Sequence, residues 1–172
     1  FRDSLNIEKF LEKIEIKFSE SPYGLLLDLN GRDITKEIRS KIVTDNVSEV
    51  SALKSVRKSM VLIQRKMGEA DDCVLEGRDI GTVVFPNAEF KFFLIADEKA
   101  RAERRLEDLK IIGEQSSIEN VMIDLINRDH KDSTRMHSPL KKSDDAIIID
   151  TSELGINEVI DKIVNIVNHK GH

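Results

Sequence analysis

Tryptophan is absent from this 172-residue sequence, tyrosine and cysteine occur once each, and there are three prolines. Each shortage excludes something. A single cysteine, Cys73, cannot close an internal disulfide and leaves no second thiolate for a cysteine-based metal site, which fits a reducing compartment and a cytoplasmic setting. Eight glycines without a period exclude collagen-like repeats, and 40% hydrophobic residues is too many for a disordered chain. Long apolar runs are missing too. The longest, Phe92 to Ala96, has five residues, whereas a bilayer span needs roughly 18 to 20. A net charge of −5 and a pI near 5.5 argue against nucleic acid or membrane surfaces as partners, but leave room for a local basic patch around a small phosphate ligand. The first residue is Phe1, so the chain reads as processed, engineered or incomplete at its N-terminus. A Gly-x-x-x-x-Gly-Lys-Ser/Thr loop, with which many parallel α/β nucleotide enzymes cradle a donor phosphate, does not occur in it.

The length suits one domain with a small insert. Apolar residues Leu5, Ile7, Phe10, Leu11 and Ile14 predict a short helix over residues 4–13. Ile14, Ile16 and Phe18 then alternate with Glu15 and Lys17, Ser21-Pro22 signals a turn, and Leu25 to Leu29 leads into Asn30-Gly31, a type I′ hairpin signal. Residues 14–35 therefore read as a small antiparallel ribbon. From Glu49 to Met67 the spacing of Val50, Leu53, Val56, Met60, Ile63 and Met67 is helical, with Gly68 as its stop. Three short apolar runs follow, Cys73 to Leu75, Phe90 to Ala96 and Ala146 to Ile149, and these read as fully buried parallel strands. Helices are expected between and after them: Asp97 to Ile112 with Gly113 as stop, Ser117 to His130 with Ser117 as cap, and Ile156 to Asn168. Strands alternating with helices predict an α/β doubly wound sheet.

Three constellations carry chemistry. Glu76-Gly77-Arg78-Asp79-Ile80-Gly81-Thr82 follows the run ending at Leu75, and open α/β sheets bind ligands beyond the carboxyl ends of their strands. A solvated glycine turn is the plainer reading. Against it, Arg78 offers a fork for phosphate or carboxylate and Asp79 an acceptor for a donor edge. The second is Arg128 to Lys142, five Lys/Arg against two Asp, a net +3 within an acidic chain. If the helix continues, Arg128, Asp132 and Arg135 share a face at i, i+4 and i+7, and two guanidinium groups could converge on one anion. Ordinary surface pairs, at about 0.2 to 0.5 kcal/mol each, are the alternative. The third is Ser48 with Arg57, near a helix start, where a cap and a surface arginine are the simpler account. His130, His137, His169 and His172 have no metal-ligand spacing and read as surface residues.

The string from Gly77 to Pro86, together with Arg128-Asp129-x-x-Asp132-x-x-Arg135, Ile38-Arg39 to Val56-Arg57, the Ala102-x-Arg104-Arg105 helix and the strand Asp144 to Thr151, closely resembles bacterial cytidylate kinase. The likeness covers nearly the whole chain. It implies an α/β fold of the nucleoside monophosphate kinase type: a parallel doubly wound core from 1–13, 36–127 and 143–172, an antiparallel hairpin insert at 14–35, and a mobile lid at 128–142. It implies transfer of the γ-phosphoryl of ATP, with Mg²⁺, to CMP or dCMP by a cytoplasmic monomer. By the same resemblance Ser48, Arg57 and Asp79 contact the cytosine, Arg78, Arg128 and Arg135 the monophosphate, and Asp132 the ribose; Arg128 and Arg135 are also the catalytic pair. The family's N-terminal strand, phosphate loop and helix have no counterpart in the sequence. Phe1-Arg2 would match the end of the family's aromatic-Arg motif, but the segment after it is short for an ungapped match. A CMP-binding fragment without phosphoryl transfer is thus the second expectation, and an acidic interaction domain without a ligand the third.

Overall fold

The computed structural model describes residues 4–22, 24–69, 72–111 and 113–170; Phe1-Arg2, Ile112 and His172 lie outside them. The chain divides into two units, residues 1–75 with 135–138, and residues 76–134 with 139–172.

The first unit holds α1 (Ser4–Leu11), β1 (Ile16–Ser21), β2 (Gly24–Leu29), β3 (Arg32–Asp33), α2 (Lys41–Ala52) and α3 (Lys54–Gly68). The ribbon expected at 14–35 is present and has a third short strand. β1 runs antiparallel to β2 with Ile16 opposite Leu29 and Ser21 opposite Gly24, and Leu29 faces Arg32 across the second hairpin. Asn30 and Gly31 have φ of 53° and 83°, the two positive values that a type I′ turn requires and that these residue types tolerate. The turn is pinned from both sides. Asn30 Oδ1 accepts from the Glu15 amide at 2.7 Å and Asp28 Oδ1 from the Gly31 amide at 2.7 Å.

The helix expected from Glu49 to Met67 is two helices. Leu53 is extended, with φ −66° and ψ 126°, and its carbonyl accepts the Arg57 amide at 2.9 Å, which starts α3. The apolar spacing runs on across the break, so periodicity does not reveal it. Because α2 starts at Lys41, Ser48 lies two turns inside it and not at a helix start. Gly68 ends α3 as expected, and α1 packs against α3. The strand expected at Cys73 to Leu75 does not form: Cys73 is exposed and Val74 fully so. No strand pairs with this run among the described residues, and an apolar run without a ladder partner has nothing to satisfy its amides and carbonyls in a sheet.

The second unit holds β4 (Phe92–Ile95), α4 (Glu98–Ile111), α5 (Ile118–Thr134), β5 (Ile147–Asp150) and α6 (Ile156–Lys170). β4 and β5 pair in parallel, Phe92 with Ile147 through Ile95 with Asp150, and α4 and α5 supply the crossover that a parallel pair needs. Both strands lie where the sequence places them. Full burial does not hold: Ile149 is buried, but Leu94, Ile95 and Ile148 are exposed. Among the described residues the sheet has two strands, and two strands cannot cover each other's faces, so the observed architecture is α/β without a wide doubly wound sheet.

Local chemistry sets the helix ends. Asp97 Oδ1 accepts the Ala100 amide at 2.7 Å at the start of α4. Past its end Gly113 has φ 81°, and the Glu114 amide returns to the Leu109 carbonyl at 2.9 Å, a left-handed C-cap. Ser117 Oγ caps α5 through the Asn120 amide at 3.2 Å; the helix runs past the expected His130 to Thr134. Ala102, Leu109 and Val121 form a buried cluster between α4 and α5, flanked by Leu106, Ile118, Met122 and Leu125. No helix among the described residues is long and apolar enough to cross a membrane.

Candidate functional site

α5 carries two acidic residues three positions apart, and the second is the focus of the site. Asp132 is buried, 3% exposed. Its Oδ2 accepts from Arg78 Nε at 3.0 Å and lies 3.9 Å from Arg128 Nε one helical turn earlier. One carboxylate thus faces two guanidinium groups. Burial, and then the charge of Arg78, lower the Arg128 pKa from its usual value; Arg105 adds to this and Asp132 opposes it. Arg128 Nε is buried without a hydrogen-bond partner among the described residues. Two guanidinium groups beside one carboxylate leave positive charge that Asp132 alone does not neutralise. The Leu140 amide donates to the Asp132 carbonyl at 2.7 Å and draws the chain beyond α5 back to it.

Arg78 and Asp79 precede an unusual turn. Residues Ile80–Val84 form a π-helical turn: the Asp79 carbonyl accepts the Val83 amide at 2.8 Å and the Val84 amide at 3.2 Å, and the Ile80 carbonyl accepts the Phe85 amide at 2.7 Å. Such turns are rare and concentrate at functional positions. Asp79 itself is 3% exposed. A Cβ added at Gly77 would lie 2.9 Å from Ile80 Cγ1, so a larger residue there would have to displace the Ile80 side chain. The expectation that these residues follow a strand is corrected with the strand; they head a wide turn.

In the first unit, Arg135 does not occupy the helical position read from its spacing, because α5 ends at Thr134. Its Nε donates to the Ser138 carbonyl at 2.5 Å and a terminal nitrogen to Ser51 Oγ at 3.4 Å. Ser51 Oγ in turn donates to the Ser48 carbonyl at 3.2 Å, linking Arg135 to the helix that carries Ser48. Arg57, half-buried on α3, reaches Gln64 Oε1 at 3.5 Å. Of the histidines, His130 and His169 are exposed as expected, whereas His137 is half-buried.

Comparison with known proteins gives the family of the chain. A family profile for cytidylate kinase matches residues 1–169. The chain belongs to the cytidylate kinase family. It is 42% identical to the cytidylate kinase of Lactobacillus johnsonii over 170 residues, 99% of this chain and 74% of that protein. Those of Halalkalibacterium halodurans and Carboxydothermus hydrogenoformans are 43% and 44% identical over 168 residues, 98% of this chain and 76% of each. Cytidylate phosphorylation, a nucleoside monophosphate kinase reaction, is the function that this membership supports, and the nucleoside monophosphate kinase fold comes with it.

Sequence reasoning on this cytidylate kinase chain misses three polar ties that shape the second unit. Arg101 pairs with Asp129 at 2.5 Å. Arg104 donates to the Thr151 and Leu154 carbonyls and to Thr151 Oγ1, fastening α4 to the loop after β5. Lys91, next to β4, pairs with Asp145 at 2.6 Å. Their partners lie 28 to 54 residues away in groups of ordinary composition. Only the pairing of β4 with β5 and the packing of α4 on α5 bring them together, and spacing along the chain carries no sign of them.

Proposed function

We propose that the Arg78, Asp132 and Arg128 cluster binds the 5′-phosphate end of CMP or dCMP, and that the chain serves phosphoryl transfer from ATP to that phosphate. The observation that carries this is the surplus of guanidinium charge around one buried carboxylate. Arg78 and Arg128 neutralise and orient the acceptor phosphate, and Arg135 joins them as the family motif requires; Asp132 fixes Arg78 and accepts from the ribose hydroxyls. Arg128 and Arg135 continue to stabilise the charge as it spreads in transfer, a reaction that asks for positioning and electrostatics and little covalent help. Cytosine offers an exocyclic amine as donor and N3 and O2 as acceptors, so one carboxylate, Asp79, and two donors, Ser48 and Arg57, match it. Uracil would set a carbonyl against the Asp79 carboxylate, and that unpaired contact is the basis of selection.

The residues 128–142 are the segment that closes over the nucleotide and excludes water. Mg²⁺ enters with the donor as its phosphate complex. Among the described residues no group of three His, Cys, Asp or Glu is placed to hold a metal, so Mg²⁺ would be carried by the donor phosphates, whose charge it would neutralise. A doubly wound parallel core, a monomeric state and a cytoplasmic setting belong to the same proposal.

Titrating the chain with CMP, cytidine and inorganic phosphate by calorimetry, beside a coupled assay of ATP consumption with CMP, tests the reading. CMP should bind more tightly than cytidine, and phosphate should compete with it. Equal affinity for CMP and cytidine would remove the cluster's role. CMP binding without ATP consumption is the behaviour of an acceptor-binding module.

A further inference from the structure

We propose that Lys91 is a positioning residue for the acceptor site, holding the Asp79 to Val84 turn, and with it Arg78 and Asp79, against the start of the parallel sheet. This rests on the reading in which Arg78 and Asp79 contact the nucleotide.

Lysine is almost never fully buried unless its charge is paired, and the Lys91 side chain is 7% exposed. Both ends of it are engaged. Its ammonium donates to the Pro86 carbonyl, just past the turn, and to Asp145 Oδ2 at 2.6 Å, just before β5. Its stem lies along the turn itself: a Cβ added at Gly81 would meet Lys91 Cδ at 3.3 Å and Ser143 Oγ at 3.4 Å. Its own carbonyl accepts the Ile147 amide at 2.9 Å, the bond that opens the ladder between β4 and β5. One side chain therefore joins the wide turn, the first residue of the sheet and the segment leading into β5. A π-helical turn is an uncommon backbone state that persists where its surroundings over-determine it. Lys91 supplies such a restraint through its bond to the Pro86 carbonyl and its stem beside Gly81. The additional bond to Pro86 and the contact at Gly81 direct the lysine to the turn.

Three variants of the chain test this. Lys91→Met keeps most of the stem and removes the ammonium, Lys91→Arg keeps a cation, and Asp145→Asn weakens the anchor at an exposed carboxylate. Two quantities are read: the ratio of CMP to UMP affinity by calorimetry, and hydrogen exchange at the Val83, Val84 and Phe85 amides relative to amides of α6. Lys91→Met should lower the CMP to UMP ratio by about tenfold, as expected when a selecting carboxylate loses its orientation. It should also speed exchange at the three turn amides by at least about tenfold with α6 little changed. Lys91→Arg should recover part of both, and Asp145→Asn should move both the same way by less. An unchanged ratio in a folded variant, or equal acceleration in the turn and α6, overturns the proposal. A parent chain that does not prefer CMP to UMP sinks the assignment of Asp79 instead, and the amide comparison then decides alone whether Lys91 holds the turn. If Lys91→Met does not fold, Asp145→Asn carries both readouts.

Discussion

Two ionic groups made of the same residue types sit three positions apart on α5 and behave in opposite ways. Arg101 and Asp129 form a one-to-one pair at 2.5 Å, and the hydrogen bond that Arg101 donates to Asp129 raises the Arg101 pKa. At Asp132 one carboxylate meets Arg78 and Arg128, and burial, then the charge of Arg78, lowers the Arg128 pKa. The first group is electrically complete and fastens α4 to α5. The second is not. Two guanidinium groups against one carboxylate is a poor way to stabilise a fold and a good way to wait for an anion, because the ligand supplies the charge that the protein leaves out. Charge balance, more than charge density, separates the structural ion pair from the proposed phosphate site on this helix. Both stand in the same sequence stretch, Arg128 to Asp132, where counting charges merges them.

Substitutions can break that contrast. Asp132→Ala should cost about 3 kcal/mol of stability in urea denaturation, since it leaves two close cations with no buried counter-charge. A loss no greater than that of Asp129→Ala would mean that the two groups are alike. Arg78→Ala should weaken CMP binding by about 10- to 150-fold, the worth of a charge-assisted hydrogen bond of about 1.5 to 3 kcal/mol. Cytidine should be indifferent to the change and lysine a partial substitute; equal losses for cytidine and CMP would move Arg78 from the phosphate to the fold. Asp79→Ala should lower the ratio of CMP to UMP affinity by about tenfold, and an unchanged ratio would place base selection elsewhere. Arg101→Ala should cost less than about 1 kcal/mol, as a partly exposed pair does, and leave CMP affinity as it was. The faintest effect concerns acid. The hydrogen bond from Lys91 holds the Asp145 carboxyl below its usual value, so its contribution is present above the ordinary carboxylate range and is lost as pH falls through it. Asp145→Asn should flatten that part of the stability curve between about pH 5 and pH 2, a titration followed by circular dichroism.

What the sequence makes legible follows from how far apart the determinants lie. Asn30-Gly31 specifies its hairpin because two adjacent residues accept positive φ, and Ser117, Asp97 and Gly113 fix helix ends through partners within five residues. The parallel strands at Phe92 and Ile147 are legible as branched and aromatic runs, although their burial is not, since burial depends on what lies above the sheet. Cys73 to Leu75 reads as a strand on the same grounds and is none, because a strand is defined by its neighbour and periodicity says nothing about one. Leu53 breaks a helix whose apolar spacing is continuous on both sides. At the site, the spacing from Arg128 to Asp132 anticipates their pairing. The arrival of Arg78, 54 residues earlier, has no local signature, and neither does the restraint from Lys91. The family motif marks Arg78 where physics read from spacing alone does not.

Leu53 has a mechanical consequence. α2 and α3 are two stiff struts joined through a single extended residue, and α3 is about 22 Å long at 1.5 Å per residue. The Leu53 amide donates to the Val50 carbonyl and its own carbonyl accepts the Arg57 amide, so this one residue closes α2 and opens α3, and its ψ sets the angle between them. Ser48 stands on one arm and Arg57 on the other, so that single torsion sets how these two residues are placed relative to each other.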